Sequence, residues 1–159
     1  MVKAFADRLM EICSRDSEHM AAHWHKNLVE NPRIPSYKSI ASETCQRQAS
    51  FIFKNLSKMY FSDNCYQTVM HQLDIVGLAE DNFSRGIPLE EVIYAIVLMR
   101  REIWLHTEQQ ALYNPEDTAE LIQSINRVLL LFDYAIHVVI SRYRKISNNT
   151  INLLEKRIS

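Results

Sequence analysis

The chain has 159 residues, of which 47% are hydrophobic and 23% charged, with a formal net charge of -1. That length suits one domain with an ordinary core, and the near-neutral balance gives no general attraction to nucleic acid or to an anionic membrane. Two glycines and four prolines leave little turn material for a strand-rich fold, so the expected class is all-α.

Apolar spacing at Phe5, Leu9 and Ile12 predicts a short first helix. Ser14 to Ser17 supply capping groups before a second helix with Met20, Trp24 and Leu28 on one stripe, ended by Asn31-Pro32 and Ile34-Pro35. A third helix is expected over about residues 39–61 and a fourth over about 63–84. Gly77 inside the fourth makes either a kink or a break into two helices the alternatives. The run Gly86-Ile87-Pro88-Leu89-Glu90-Glu91 is the clearest local signal: glycine closes one helix, proline opens the next, and two glutamates fall in its first turn. The helix from Pro88 carries Leu89, Val92, Ile96, Met99, Ile103 and Trp104, and further apolar residues widen its sector beyond one face.

Asn114-Pro115-Glu116-Asp117 reads as a last helix start, after which no glycine or proline occurs up to Ser159. One helix of that length runs roughly 65 Å, against a diameter on the order of 40 Å for a compact domain of this size. Part of it must therefore project or bend. The expected division is a body over residues 1–142 and an extension over 143–159, an output linker or a dimer coiled coil. The extension carries Ile146, Ile151, Leu154 and Ile158, with the apolar stripe shifting by about one residue around Ser147-Asn148-Asn149.

The N-terminal residues 1–8 lack an apolar signal region. The most apolar run, residues 128–140, contains Asp133 and His137 and is too short to span a bilayer. Cys13, Cys45 and Cys65 are odd in number and show no CxxC or Cys/His metal spacing, as expected of reduced thiols in a cytoplasmic protein.

Trp24, the stretch GIPLEEVIYAIVLMRREIW over residues 86–104, then Phe132-Asp133-Tyr134-Ala135 and Tyr143 together resemble the N-terminal sensor domains of RsbR-type stressosome proteins and related sensor histidine kinases. The resemblance covers most of the chain. It implies a globin-like helical bundle, here of about six helices, that need not bind haem, forms a homodimer through its last two helices, and relays a signal through the final helix. A STAS, kinase or phosphatase module would be the output partner, either separate or following this segment. Fold analogy alone is a weak warrant for function.

Candidate chemistry is sparse. Trp24, Tyr94 and Trp104 are placed to fill the core or, alternatively, to line an apolar ligand pocket. Arg100 and Arg101 suit an anionic ligand, or neighbouring carboxylates and solvent. Asp133 and His137 lie four apart in the most apolar stretch, where an unpaired charge is costly, so they are expected to pair or find other partners, as a structural hydrogen bond or as a ligand contact or switch at a dimer seam. Leu121, Ile125 and Phe132 join Ile146, Ile151, Leu154 and Ile158 as expected dimer or output positions. His19 and His23 share a helical face with Asp16, a metal-like spacing that lacks a third ligand assignable from elsewhere, so no metal is expected. Haem would need His71 or His106 to coordinate iron, and neither is singled out, so no cofactor is expected. His71 to Gly77 departs from a histidine phosphotransfer pattern, because Asp74 replaces the lysine and the glycine comes late. No P-loop, HExxH or GxSxG occurs. The expected function is a non-enzymatic regulatory sensor. The alternatives are a ligand-free interaction or scaffold module and, third, a phosphotransfer domain.

Overall fold

The computed structural model describes residues 4–110 and 114–159, so Met1-Val2-Lys3 at the N-terminus lies outside the described residues. Among the described residues every regular element is helical: α1 (Phe5–Arg15), α2 (Ser17–Glu30), α3 (Ser42–Lys54), α4 (Leu56–Tyr60), α5 (Cys65–Val76), α6 (Leu78–Ser84), α7 (Leu89–Gln109) and α8 (Thr118–Ile158). Short 3-10 turns at Pro35–Ser39 and Pro115–Asp117 precede α3 and α8. The fold is an all-α bundle with a long C-terminal helix.

Among the described residues eight α-helices stand where about six were expected, because polar and glycine residues cut two segments. The segment expected over 39–61 is divided at Asn55, whose side-chain amide donates to the Phe51 carbonyl at 2.8 Å. That bond offers the backbone a local alternative to helix propagation. Gly77 breaks the next segment rather than kinking it: at φ +66° it caps α5 and starts α6, a left-handed conformation glycine adopts at little cost. Asn64 caps the start of α5 by accepting from the Gln67 N–H at 3.2 Å. Gly86 at φ +77° lets the chain turn into α7, whose first helical residue follows Pro88.

The core gathers Phe5, Leu9, Met20, Trp24, Leu28, Phe53, Ile96, Ile103, Val128 and Val139, all 2% exposed or less. α2 packs on α3 and α7, while α8 runs past α1, α4, α5, α6 and α7 in turn. A helix in contact with five others is apolar on a wide sector for that reason. By length and composition alone α8 would also pass for a membrane span, with mean hydropathy 1.4 in its most apolar window. The inward residues of that stretch, including Leu131, Phe132 and Val138, belong to the core of the bundle.

α8 is continuous through Ser147-Asn148-Asn149, so the shift in its apolar stripe produces no break in helical structure. At 41 residues it is roughly 62 Å long. Tyr143 is its last core residue, Ile146 and Ser147 are half-buried, and residues 148–159 are all exposed. The helix therefore leaves the body a turn or so later than the 142/143 boundary expected from sequence.

Candidate functional site

The expected pocket of Trp24, Tyr94 and Trp104 does not form around a cavity. Trp24 is 1% exposed, and its indole N–H donates to the Ala95 carbonyl at 3.0 Å, so the ring joins α2 to α7 as core. Tyr94 and Trp104 are half-buried and pack against the rim of the hydrophobic cluster. An apolar void lies elsewhere, between Ile52, Leu73, Met99, Leu131 and Phe132, and has a volume of about 20 Å³. That is room for about one water-sized probe.

Asp133 and His137 are both exposed and do not pair with each other; each meets another partner instead. Asp133 comes to 4.0 Å from Arg100 of α7, and the His137 ring lies 3.2 Å from the Tyr66 hydroxyl of α5. The apolar stretch has an outer face after all, and these two residues sit on it. Leu121, Ile125 and Ile146 are half-buried along α8, Phe132 is core, and Ile151, Leu154 and Ile158 are exposed. His71 is exposed on α5, where Asp74, one turn later, binds Arg142 at 2.9 Å.

The polar side chains that do converge are Asp16, His19, His23, Glu102 and His106. Helical spacing puts His19 and His23 on one face of α2, below the elbow at Asp16, where the backbone leaves α1 at φ -103° and ψ 19°. Facing them, α7 presents Glu102 and His106, again four apart. His23 Nδ1 lies 2.6 Å from Glu102 Oε2 and His106 Nε2 lies 2.8 Å from Asp16 Oδ2, with the His19 and His106 ring centroids 5.7 Å apart. Sequence spacing supplied the α2 half of this cluster. Its α7 half was hidden because the partners lie 79 and 90 residues away.

The two carboxylates are tuned in opposite senses. Burial pushes Glu102 above the usual carboxylate range, opposed by its bond to His23 and by the nearby His106 and His19. Asp16 is held well below that range by hydrogen bonds from Arg15 and then from His106, against some desolvation. Beneath the elbow, burial and the Asp16 charge push the Cys13 thiol up to about 12, leaving it inert at neutral pH. Among the described residues no three such side chains converge on a common metal position.

Beside the His23–Glu102 pair an open cleft of about 440 Å³ runs between the second half of α2 and α7, lined by His23, Asn27, Glu30, Leu98, Arg101 and Leu105 among others. That volume falls within the range of small-molecule sites. Comparison with known protein families, with curated proteins and with solved structures finds no match to this chain.

Proposed function

We propose that the chain is a non-enzymatic regulatory sensor domain of the RsbR type, globin-like and cytoplasmic, that forms a homodimer and relays ligand or partner binding through α8 to a STAS, kinase or phosphatase module. The observation that carries this reading is α8 itself. One rigid element touches five other helices of the body and then projects with Ile151, Leu153, Leu154 and Ile158 all about half exposed or more. A change in packing anywhere along its buried half moves the projecting end. An isolated helical end of a dozen residues is marginal in water, and a second copy of the same segment would cover its apolar side chains.

Light scattering on the full chain at high micromolar concentration tests the reading. The expected mass is that of a dimer, shifted toward monomer by Ile151→Glu with Leu154→Glu. A strictly monomeric wild-type protein would remove the reading's main support.

A second reading, a scaffold module without a ligand, draws on the small size of the apolar void and on Trp24 acting as core. Docking would then use the exposed faces of α8, and no small molecule would change its oligomeric state or stability.

A further inference from the structure

The cleft between α2 and α7 contains two nitrogen groups that no internal acceptor uses. His23 spends Nδ1 on Glu102, a side chain 3% exposed, while the imidazole is itself 38% exposed at the cleft wall. Nε2 has no hydrogen-bond partner among the described residues. Arg101, one residue before Glu102, lines the same cleft and makes no ion pair or hydrogen bond among the described residues, whereas Arg8, Arg15, Arg127 and Arg142 are each committed to an oxygen acceptor. A buried carboxylate behind an imidazole fixes which ring nitrogen faces outward and compensates the charge if the ring takes up a proton. Leu98 and Leu105 add an apolar strip, and among the described residues Glu30 is the one acidic residue lining the cleft.

The geometry points to this cleft as a binding site for a small molecule that carries one oxyanion, a carboxylate or a phosphate, on an apolar body. The oxyanion is held by His23 Nε2 and the Arg101 guanidinium, and the apolar part lies on Leu98 and Leu105. Glu30 disfavours a second anionic group. The inference rests on the sensor reading and names its signal. The anion needs Nε2 as a donor, which requires one proton more on the His23–Glu102 pair than a carboxylate facing a neutral imidazole carries, so binding takes up protons where the pair has lost that proton. Asp16, His19 and His106 stand around the same pair.

Hexanoate and hexyl phosphate are the probes, with hexanol as the neutral control, in calorimetric titrations of the full chain run in two buffers of different ionisation enthalpy. Both anions, or one of them, bind with net proton uptake and shift the His23 ring resonances. Affinity falls at least about fivefold between about pH 6 and about pH 8. Arg101→Met, a change at an exposed side chain that leaves the core intact, weakens binding about tenfold, and hexanol binds at least about tenfold more weakly than the anions. Binding by one anion alone still supports the site and identifies its head group. Equal binding of hexanol, unchanged affinity in Arg101→Met, or silent His23 resonances with both anions at about 10 mM would overturn it. Light scattering on the same samples separates the two ideas: a dimer that binds neither anion loses this site and keeps the sensor reading, and a monomer loses the reading itself.

Discussion

The Tyr143 hydroxyl donates to the Ile87 carbonyl at 2.9 Å, a bond between the point where α8 leaves the body and the turn that opens α7. Burial pushes this phenol far above its ordinary range, so it stays a donor at every accessible pH. Its ring also meets Phe83 of α6 edge to face, with centroids 5.2 Å apart. The bond and the ring contact tie the exit point of α8 to the Gly86-Ile87-Pro88 turn and to α6. Tyr143→Phe keeps the ring and leaves the Ile87 carbonyl without its partner, a cost of about 1–3 kcal/mol for a buried group. The expected outcome is a melting temperature lower by at least about 2 °C with the light-scattering mass unchanged. An unshifted melting curve would show that solvent replaces the bond and that the joint is loose.

How much of this was legible in advance depends on the range of the interaction. Gly86-Ile87-Pro88 placed the start of α7 to within a residue and Asn114-Pro115 that of α8 to within three, because caps and breakers act through nearest neighbours. Asn55 was passed over as an interior helix position, although its side chain competes for a backbone carbonyl. The His23–Glu102 and His106–Asp16 pairs lay beyond any local rule, since each half is only a polar residue on a helix face until α2 and α7 are placed together. The exposure of Asp133 and His137 was not legible for the converse reason: a run of apolar residues indicates that a helix is packed, but not which narrow side is left outside.

Arg127 joins α8 to the turn between α4 and α5. Its Nε donates to the Tyr60 carbonyl at 2.5 Å and one Nη donates to the Ser62 carbonyl at 3.2 Å, with the Cys65 sulfur at 3.1 Å from the same Nη. The guanidinium also lies over the Tyr60 ring, 5.4 Å from its centroid. A planar fork serves these acceptors in a way an ammonium cannot. Arg127→Met is expected to destabilise the fold by about 2–3 kcal/mol, and Arg127→Lys to recover less than half of that. Urea midpoints at constant slope provide the measurement. Full recovery by lysine would mean that charge alone matters there.

Removal of residues 148–159 separates folding from assembly. None of those side chains is buried in the bundle, so the truncated chain is expected to unfold within about 0.5 kcal/mol of the full one while its light-scattering mass falls toward monomer. A loss of several kcal/mol in the monomer would place part of the fold's stability in the extension. Retention of the dimer would move the contact to the half-buried outer positions of α8.

The two carboxylates between α2 and α7 predict opposite pH signatures. Glu102 is raised by burial, so its favourable contribution is complete below the ordinary glutamate value and fades as pH rises through the folded value. The stability of wild type relative to Glu102→Gln should therefore decline as pH rises above the ordinary glutamate value. Asp16 is lowered by Arg15 and His106, so its contribution is complete above the ordinary aspartate value and disappears as pH falls below about 4. The margin of wild type over Asp16→Asn should shrink on acidification, from a value of at most about 1–2 kcal/mol because the side chain is 21% exposed. Chemical denaturation of the three proteins across this range gives two curves of opposite slope. A Glu102→Gln penalty that grows with pH would show that the His23 pairing outweighs the cost of burial and that the direction assigned to Glu102 is wrong. Parallel curves would show that the two pairs titrate as one coupled unit rather than as separate links between the helices.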